Sequence, residues 1–386
     1  MVSNRVRNIT PSATLAIDSK AKQLKKEGKN VLNFGAGEPD FNTPSNIKEA
    51  AKKAIDNNIT RYTPVGGIPE LREAIANKFR EYNKINYEPS EVMAASGGKH
   101  GLYNIAASML NEGDEAILPV PYWVSFEEMI KLAGAKPVFC KTDEKFKLTA
   151  EDVEAKITNK TKMLILNSPS NPSGAIVERK EVEKIAKLAI EHNFYVVSDE
   201  VYEHFAYGNK ERVSIASLNP EIKNLTITAN SFSKTYAMTG WRVGYCGASK
   251  EIIKAMENFQ SHASGNVSNI SQMAALEALK GPQDSVKEMI KAFDERRKFM
   301  HKRLNEMPGI KCNEPEGAFY AFPDIKGTKM SSNEFSSKLL DEALVAVVPG
   351  LAFGLDGYVR LSYAASMKDI EQGMERMEKW VGGKVQ

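Results

Sequence analysis

The chain carries four polar clusters, each after a short apolar run, and their residue types could do chemistry together. A lysine amine can form a Schiff base, and a carboxylate beside a ring nitrogen can keep that nitrogen protonated. A glycine turn that opens a helix can bind a phosphate through its backbone N–H groups. These are the groups that a pyridine aldehyde phosphate would need. The clusters contain, in chain order, Gly98 and Lys99; Asn171; Asp199 and Tyr202; and Ser231, Ser233 and Lys234.

Each cluster taken alone has an ordinary structural interpretation. Residues 171–174 read Asn-Pro-Ser-Gly, a common turn. A single aspartate after a strand often caps a helix, and a single lysine is often a solvated charge. The glycine turn at residues 96–101 is neither Gly-x-Gly-x-x-Gly nor a Walker loop, which disfavours a nicotinamide or nucleoside-triphosphate site. The functional interpretation therefore depends on the four clusters occurring together.

Apolar runs that alternate with helical patterns must position these clusters. We expect strands at residues 116–118, 163–166, 194–197, 225–228 and 243–246, with helices such as 178–192 and 251–259 between them. Such strands are typical of an α/β fold with a mainly parallel sheet that helices cover on both faces. Ligands of these sheets bind outside the carboxyl ends of the strands, where all four clusters would lie.

A change of pattern after Gly281-Pro282 predicts a second, smaller α/β domain. Apolar residues recur at helical spacing from Val286 to Met307, and short strand-like segments follow around Phe319 and Arg360. We expect a large cofactor-binding domain at residues 48–285. The small domain, with the N-terminal segment, would comprise residues 1–47 and 286–386.

Composition disfavours several classes of protein. Hydrophobic residues make up 42% and charged residues 26%, and 52 basic against 49 acidic residues leave a net charge of +3. This near balance argues against a nucleic-acid partner. The three cysteines lie far apart, which disfavours disulfides and a metal site. Apolar runs are too short to span a membrane and the first residues lack a signal-peptide pattern, so we expect a cytoplasmic protein without a membrane partner.

Three motifs resemble those of the class I and II pyridoxal-phosphate-dependent aminotransferases, enzymes of fold type I. Ser231-Phe-Ser-Lys-Thr-Tyr-Ala-Met-Thr-Gly-Trp-Arg242 resembles the lysine signature of that family, and residues 167–174 and 198–202 resemble two further motifs. The resemblance extends from Pro11-Ser-Ala-Thr to Tyr358-Val-Arg-Leu-Ser-Tyr. Within the family, the chain is most similar to the compact subgroup of bacterial aspartate and aspartate/prephenate aminotransferases.

The resemblance implies pyridoxal 5′-phosphate as cofactor and a role for each matching residue. Lys234 would form the Schiff base and move the proton, while Asp199 would pair with the ring nitrogen. Gly37 would lie in a segment that closes over the substrate. Tyr62 would reach the phosphate in a neighbouring subunit, which implies a homodimer with shared active sites. The remaining implied contacts are Trp123, Asn171 and Tyr202 at the ring, with Trp123 and Asn171 also beside the substrate, and Gly98, Lys99, Ser231, Ser233 and Arg242 at the phosphate.

Arg360 is a candidate even without the family. Alternation along Val359-Arg360-Leu361 places a guanidinium in an otherwise apolar strand. Such a group needs an anionic partner, which could be a bound carboxylate or an internal salt bridge. The resemblance implies that Arg360 binds the α-carboxylate of the substrate.

The side-chain carboxylate of the substrate would need a second cation. Well-known enteric and animal aspartate aminotransferases use an arginine in the stretch that matches residues 261–269, but that stretch contains no arginine here. The resemblance to the compact subgroup implies Lys99, Ser12 and Thr14 instead.

The resemblance thus implies ping-pong transfer of the amino group from L-aspartate to 2-oxoglutarate. An aromatic or prephenate aminotransferase is the alternative, and a carbon–sulfur β-lyase is a further one, because fold and cofactor do not fix the reaction. A regulator on this fold would carry an additional DNA-binding module, which we do not expect. We interpret Tyr320, Phe322 and Phe353 as core residues.

Overall fold

Helices and strands alternate through the middle of the chain in the computed structural model, which describes residues 2–208 and 210–384. The strands are β1 (Leu32–Asn33), β2 (Val92–Ala95), β3 (Glu115–Pro119), β4 (Lys136–Cys140), β5 (Thr161–Asn167), β6 (Tyr195–Asp199), β7 (Thr226–Ser231), β8 (Gly244–Gly247), β9 (Tyr320–Ala321), β10 (Val345–Ala346), β11 (Val348–Pro349) and β12 (Val359–Ser362). The helices are α1 (Asn4–Arg7), α2 (Ala13–Lys26), α3 (Ser45–Asp56), α4 (Pro69–Lys78), α5 (Gly98–Met109), α6 (Ser125–Leu132), α7 (Ala150–Glu154), α8 (Arg179–His192), α9 (Pro220–Asn224), α10 (Phe232–Thr235), α11 (Lys250–Ala263), α12 (Asn269–Lys280), α13 (Asp284–Glu306), α14 (Ser332–Ala343) and α15 (Met367–Gly382).

The central sheet has seven strands in the order β2-β8-β7-β6-β5-β3-β4. Strands β3 to β7 run parallel to one another, whereas β8 is antiparallel to both β7 and β2. The expected α/β fold with a mainly parallel sheet is therefore confirmed. All five predicted strands are present.

Both faces of this sheet are covered, and the alternation of side chains shows how. Along β5, Met163 and Ile165 belong to a core cluster that includes side chains of α5, α6 and α11. Leu164 and Leu166 belong to another cluster that includes side chains of α8. Because successive strand residues face opposite sides, the continuous apolar run of β5 buries both of its faces.

The parallel strands bring the predicted site residues to one edge. Asn167 ends β5, Asp199 ends β6 and Ser231 ends β7. Asn167 pairs in register with Asp199, and Asp199 pairs with Ala229 of β7. The three carboxyl ends therefore lie side by side, which explains why clusters far apart in the chain share one site.

Two smaller sheets, which we together call the small sheet, lie outside the central one, and the two-stranded sheet joins the N-terminal segment to the C-terminal part of the chain. β1 pairs in parallel with β10, and β11, β12 and β9 form a three-stranded antiparallel sheet. We propose, as the sequence suggests, that residues 1–47 join residues 286–386 in the small domain, since this pairing attaches the N-terminal segment to the C-terminal part. Arg360 of β12 is a buried charged residue between the apolar residues Val359 and Leu361.

The longest helix, α13, connects the two parts and has 23 residues. Val286 near its start packs with side chains of α4 and α12, whereas Phe293, Met300 and Leu304 pack in the core of the small sheet. Its other face is charged. Within residues 2–208 and 210–384, neither this helix nor another is long and apolar enough to cross a membrane.

Candidate active site

A cavity of about 420 Å³ lies between the carboxyl ends of the central strands and the small sheet. Side chains from both parts of the chain line it, so the site depends on the two sheets being held together. The sequence-predicted residues on its wall are Thr14, Gly37, Gly98, Lys99, Trp123, Asn171, Asp199, Tyr202, Ser231, Ser233, Lys234, Arg242 and Arg360.

Two predicted residues lie outside this wall. Ser12 lies next to it, because its hydroxyl is 2.9 Å from the hydroxyl of Thr14. Tyr62 is 99% exposed and does not line the cavity of its own chain. Its loop is nevertheless anchored, since Asn269 donates to the carbonyl of Arg61 and Gln272 donates to the Thr63 hydroxyl at 3.0 Å.

Lys234 lies one turn into α10, directly after the end of β7. The hydroxyl of Ser231 caps this short helix by accepting from the backbone N–H of Ser233 at 3.1 Å. The Lys234 ammonium donates to the backbone carbonyl of Gly37. Burial lowers the pKa of Lys234 to about 8, although the carboxylate of Glu38 acts in the opposite direction. The amine is therefore partly neutral, as a nucleophile or base must be, near neutral pH.

Asp199 is the buried acid of the site, with 4% of its surface exposed. Burial raises the pKa of its carboxyl to about 7, against the effect of the Val201 N–H that donates to it at 3.1 Å. A carboxylate in this setting is stabilised by a cationic hydrogen-bond donor. A protonated ring nitrogen would be such a donor.

The glycine turn leaves room for an anion at the start of α5. Gly97 has φ +92, a left-handed conformation that favours glycine, and a Cβ there would collide with the guanidinium of Arg242. A Cβ at Gly98 would lie 3.1 Å from Cβ of Ser231. The bare backbone therefore lets Arg242, Ser231 and the first N–H groups of α5 approach one point.

Arg360 is 2% exposed and is held by neutral groups. Its Nη2 donates to the carbonyl of Gly35 at 2.8 Å, and its Nη1 donates to Oδ1 of Asn171 at 3.0 Å. Within the part of the chain that the structure describes, its buried Nε has no hydrogen-bond partner. The internal salt bridge that the sequence left open is not what holds the guanidinium, so an anion could still bind it.

Aromatic side chains complete the wall. The Tyr202 hydroxyl is 2.9 Å from that of Tyr320. The ammonium of Lys99 lies 5.0 Å from the ring centroid of Trp123. Burial, with a smaller effect from Arg242, lowers the pKa of Lys99. A carboxylate beside Lys99 would therefore stabilise its charged form.

Sequence reasoning missed several residues of the wall. Asp18 and Lys22 line the cavity and form an ion pair at 2.7 Å, and Glu38 lines it beside Gly37. Thr14, Asp18 and Lys22 are spaced four apart on α2, so a helical pattern in that segment would have placed them on one face.

We interpret Tyr320 as a core residue, and it is indeed buried. It also lines the cavity. Its hydroxyl in an apolar run was the available signal, because a buried hydroxyl needs a hydrogen-bond partner. Asn230, which directly precedes the motif that begins at Ser231, also lines the wall, and its residue type alone did not indicate this.

Comparisons with known proteins agree with one another. The family described as aminotransferase class I and II matches residues 29–377. The aspartate aminotransferase of Bacillus sp. (strain YM-2) is 47% identical over 99% of both chains, and the probable aspartate/prephenate aminotransferase of Aquifex aeolicus is 46% identical over 98% of both. The structure of aspartate aminotransferase from Thermus thermophilus with maleate is similar with a TM-score of 0.95 at 41% identity, covering 98% of this chain and 99% of that one.

The environment of Lys234 leads to a pH prediction. With a pKa of about 8, its amine loses a proton near that pH, whereas an ordinary lysine remains protonated up to about 10.4. In the protein without ligand, acylation of Lys234 by acetic anhydride should therefore reach half its maximal rate near pH 8. Competitive labelling with peptide mass spectrometry measures this, with Lys187, 77% exposed, as internal control. Equal midpoints for the two lysines would contradict the prediction.

Proposed function

The chain belongs to the class I and II aminotransferases, and on this premise we propose that it transfers the amino group of L-aspartate to 2-oxoglutarate, giving oxaloacetate and L-glutamate. We propose pyridoxal 5′-phosphate as its cofactor. The observation that carries the proposal is the buried guanidinium of Arg360, which shares a cavity with Lys234 and whose Nε has no hydrogen-bond partner among the described residues.

The residues present fit this cofactor at both of its ends. The turn at Gly97 and Gly98, with Arg242, Ser231 and Ser233, would hold the phosphate dianion through backbone N–H groups, a guanidinium and hydroxyls. The absence of a Cβ at Gly97 supports this, because it lets the guanidinium of Arg242 lie directly beside the glycine backbone.

Other residues of the cavity wall suit the ring. Asp199 would hold the ring nitrogen protonated, Asn171 and Tyr202 would contact the ring hydroxyl, and Trp123 would stack on the ring face. When bound, the cofactor supplies an aldehyde for the amine and a ring that withdraws electrons from the substrate Cα.

Lys234 would act both as the amine that bonds the cofactor and as the base. Its Nζ can accept the proton from Cα of the substrate, because burial leaves much of the amine neutral near pH 8. Arg360 would bind the α-carboxylate through two parallel hydrogen bonds, and Gly37 lies in the segment that closes against it. These contacts orient the Cα–H bond and exclude water from the reacting atoms.

Lys99 supports the acidic side chain of the substrate. Its ammonium lies at the wall near Trp123. Thr14 lies on the same wall, and the Ser12 hydroxyl is hydrogen-bonded to that of Thr14. Burial disfavours the charge of Lys99, so the distal carboxylate of aspartate would compensate it. The relative from Bacillus sp. is named for the same substrate.

We further propose a cytoplasmic homodimer with shared active sites. Tyr62 is almost fully exposed on an anchored loop, which suits a side chain that completes the phosphate site of a neighbouring subunit. Cys140, Cys246 and Cys312 are buried free thiols, which fits a reducing compartment.

Because the Aquifex aeolicus relative is named a probable aspartate/prephenate aminotransferase, prephenate is the second candidate substrate for the same site. Prephenate also presents two carboxylates, so Arg360 and Lys99 could serve it in the same way. A screen that pairs aspartate, glutamate, tyrosine and phenylalanine with 2-oxoglutarate and prephenate distinguishes the alternatives.

Turnover of the purified protein tests the proposal first. Aspartate with 2-oxoglutarate should give oxaloacetate and glutamate, and Lys234→Ala should lower kcat by at least about 10²- to 10⁴-fold, the usual contribution of a general base. Coupled assay of oxaloacetate measures both. Release of ammonia and pyruvate without an added 2-oxoacid would instead indicate a β-lyase, and an active Lys234→Ala enzyme would reject the mechanism.

Mixed dimers test the shared site. Lys234→Ala lacks the amine, and Tyr62→Ala should bind the cofactor weakly, so each variant should have low activity at limiting cofactor. After subunit exchange, each mixed dimer has one site with both native residues, so a 1:1 mixture should recover about one quarter of native activity. Native mass spectrometry confirms the exchange. Full exchange without recovery would rule out sharing.

Arg360 and Lys99 should have separable effects on substrates. Removing the charged partner of a desolvated carboxylate costs on the order of 2–5 kcal/mol, about 30-fold or more in kcat/KM. Arg360→Ala should therefore lower kcat/KM for every amino donor. Lys99→Ala should lower it for aspartate and glutamate and spare aromatic donors.

Lys22→Ala is the matched control for Lys99→Ala, because Lys22 also lines the cavity but is paired with Asp18. It should leave the ratio of acidic to aromatic kcat/KM within about threefold of the native ratio. If Lys99→Ala lowers all donors equally, Lys99 belongs to the phosphate site and the acidic side chain is bound elsewhere.

A further inference from the structure

A buried polar cluster lies beside the cavity on residues that have no role in the mechanism above. We call it the Glu203 network, and it consists of Lys78, Asn83, Glu200, Glu203 and Asn230. Four of these side chains belong to residues at most 4% exposed, and that of Lys78 is 11% exposed. Buried charges cost free energy unless they are paired and hydrogen-bonded, so their arrangement is informative.

Asn83 holds the two carboxylates together. Its amide nitrogen donates to Oε2 of Glu200 at 2.7 Å and to Oε2 of Glu203 at 2.6 Å. Its amide oxygen accepts from Nζ of Lys78 at 2.8 Å, which fixes the orientation of the amide. Lys78 also pairs with Glu203. Burial acts to raise the pKa of the Glu203 carboxyl, but the charges of Lys78, His204 and Arg212, together with the hydrogen bond from Lys78, outweigh it and lower that pKa.

Asn230 connects these carboxylates to the cavity wall. Its amide nitrogen donates to Oε1 of Glu203 at 2.7 Å and to the backbone carbonyl of Glu200 at 3.3 Å. Its amide oxygen accepts from the backbone N–H of Ser231 at 2.7 Å. The amide group of Asn230 is therefore hydrogen-bonded to residues at the ends of both β6 and β7.

These strand ends carry the proposed reacting groups. Glu200 directly follows Asp199, and Ser231 caps α10, which carries Lys234. Asp199 is paired in register with the residue before Asn230. A rotation of either strand end would move the carboxylate relative to the amine, and the Asn230 amide opposes that rotation.

We propose that Glu203 and Asn230 are positioning residues of the aminotransferase reaction, whose hydrogen bond fixes Asp199 relative to Lys234. The inference rests on the proposed function, since it assumes that both groups act on one bound cofactor. Displacement of catalytic groups by about 1 Å can lower turnover on the order of 100-fold, which is enough to measure.

A glutamine at position 203 has the size of the glutamate side chain but cannot accept the same two hydrogen bonds. Oε1 of Glu203 accepts from Asn230 and Oε2 accepts from Asn83, whereas a glutamine has a single acceptor oxygen. In either orientation of the glutamine amide, its NH2 group would face a donor, Nδ2 of Asn83 in one and Nδ2 of Asn230 in the other. The Glu203→Gln side chain must therefore shift, and the geometry that the two bonds define is lost. Because this substitution also leaves Lys78 without its carboxylate, the double variant Lys78→Met/Glu203→Gln removes both charges and should recover stability.

Thr226→Val is the matched control. Thr226 is fully buried at the opposite end of β7, and its hydroxyl donates to the carbonyl of Ile222 at 2.7 Å. Valine keeps its shape and loses the bond, so this variant should destabilise the same strand without moving the end that leads to Lys234.

Both variants at position 203 should lower kcat for aspartate about 10- to 100-fold, with KM within about threefold of native. The dissociation constant of the cofactor-free protein for pyridoxal 5′-phosphate should rise about tenfold, because α10 is displaced. Urea unfolding should show the double variant more stable than Glu203→Gln, whereas kcat should stay low. Thr226→Val should lose stability and keep kcat and the dissociation constant within about twofold.

The inference is overturned if the double variant returns to native kcat and cofactor affinity, or if Thr226→Val loses as much of both at equal stability. Should Glu203→Gln fail to fold, the double variant decides by the same two criteria. Failure of the proposed function is seen separately, as a native protein that does not transaminate aspartate. The cofactor affinities would still decide the inference in that case.

Discussion

An ammonium, a carboxylate and a guanidinium are buried around one cavity, and the rest of the structure is arranged to keep them there. Each ion loses hydration that is worth several kcal/mol when it is buried. Burial shifts the pKa of Lys234 to about 8 and that of Asp199 to about 7, and each shift favours the uncharged form of the group. Arg360 stays charged and is held by a carbonyl and an amide oxygen. A ligand with an acidic and a basic end would relieve all three, which is why we regard the buried charges as functional.

Parallel strand ends make this concentration of charge possible. β6 and β7 end side by side, so Asp199 and the turn to Lys234 are set by the register of the sheet. The side chains behind these ends do not have to be apolar. The Glu203 network fills that space with one ammonium, two carboxylates and two amides, and the hydrogen bonds of Asn230 connect it to the cavity wall. The hydrogen bonds of the Glu203 network, in addition to apolar packing, therefore keep the cavity wall rigid.

Much of this could be predicted from the sequence, because several signals were local. The apolar runs of β5 and β6 are continuous, since helices cover both faces of the sheet, and the polar residues that follow them fall at the strand ends. Arg360 stood out because a charge within an apolar strand is costly. The family motifs then supplied roles that no single residue could indicate.

The rest could not be predicted, because it depends on contacts between distant segments. Asp18 and Lys22 reach the cavity only because α2 packs beside the small sheet, and no motif marks them. Asn83 looks like an ordinary polar residue at the end of a helical segment. Its importance arises from two carboxylates more than a hundred positions away in the chain. The role of Tyr62 was indicated by the family resemblance alone, because a sequence does not record the exposure of its side chain.

The segment around Gly35 and Gly37 contacts two of the buried cations of the cavity. The carbonyl of Gly35 accepts from Arg360, and that of Gly37 accepts from Lys234. A carbonyl dipole reduces the cost of a buried cation but compensates only part of its charge. A carboxylate at Arg360 would compensate it fully and would therefore displace the carbonyl. Since both carbonyls belong to one short segment, loss of either contact would free the segment to move, and substrate binding would be coupled to its movement by the exchange of hydrogen bonds alone.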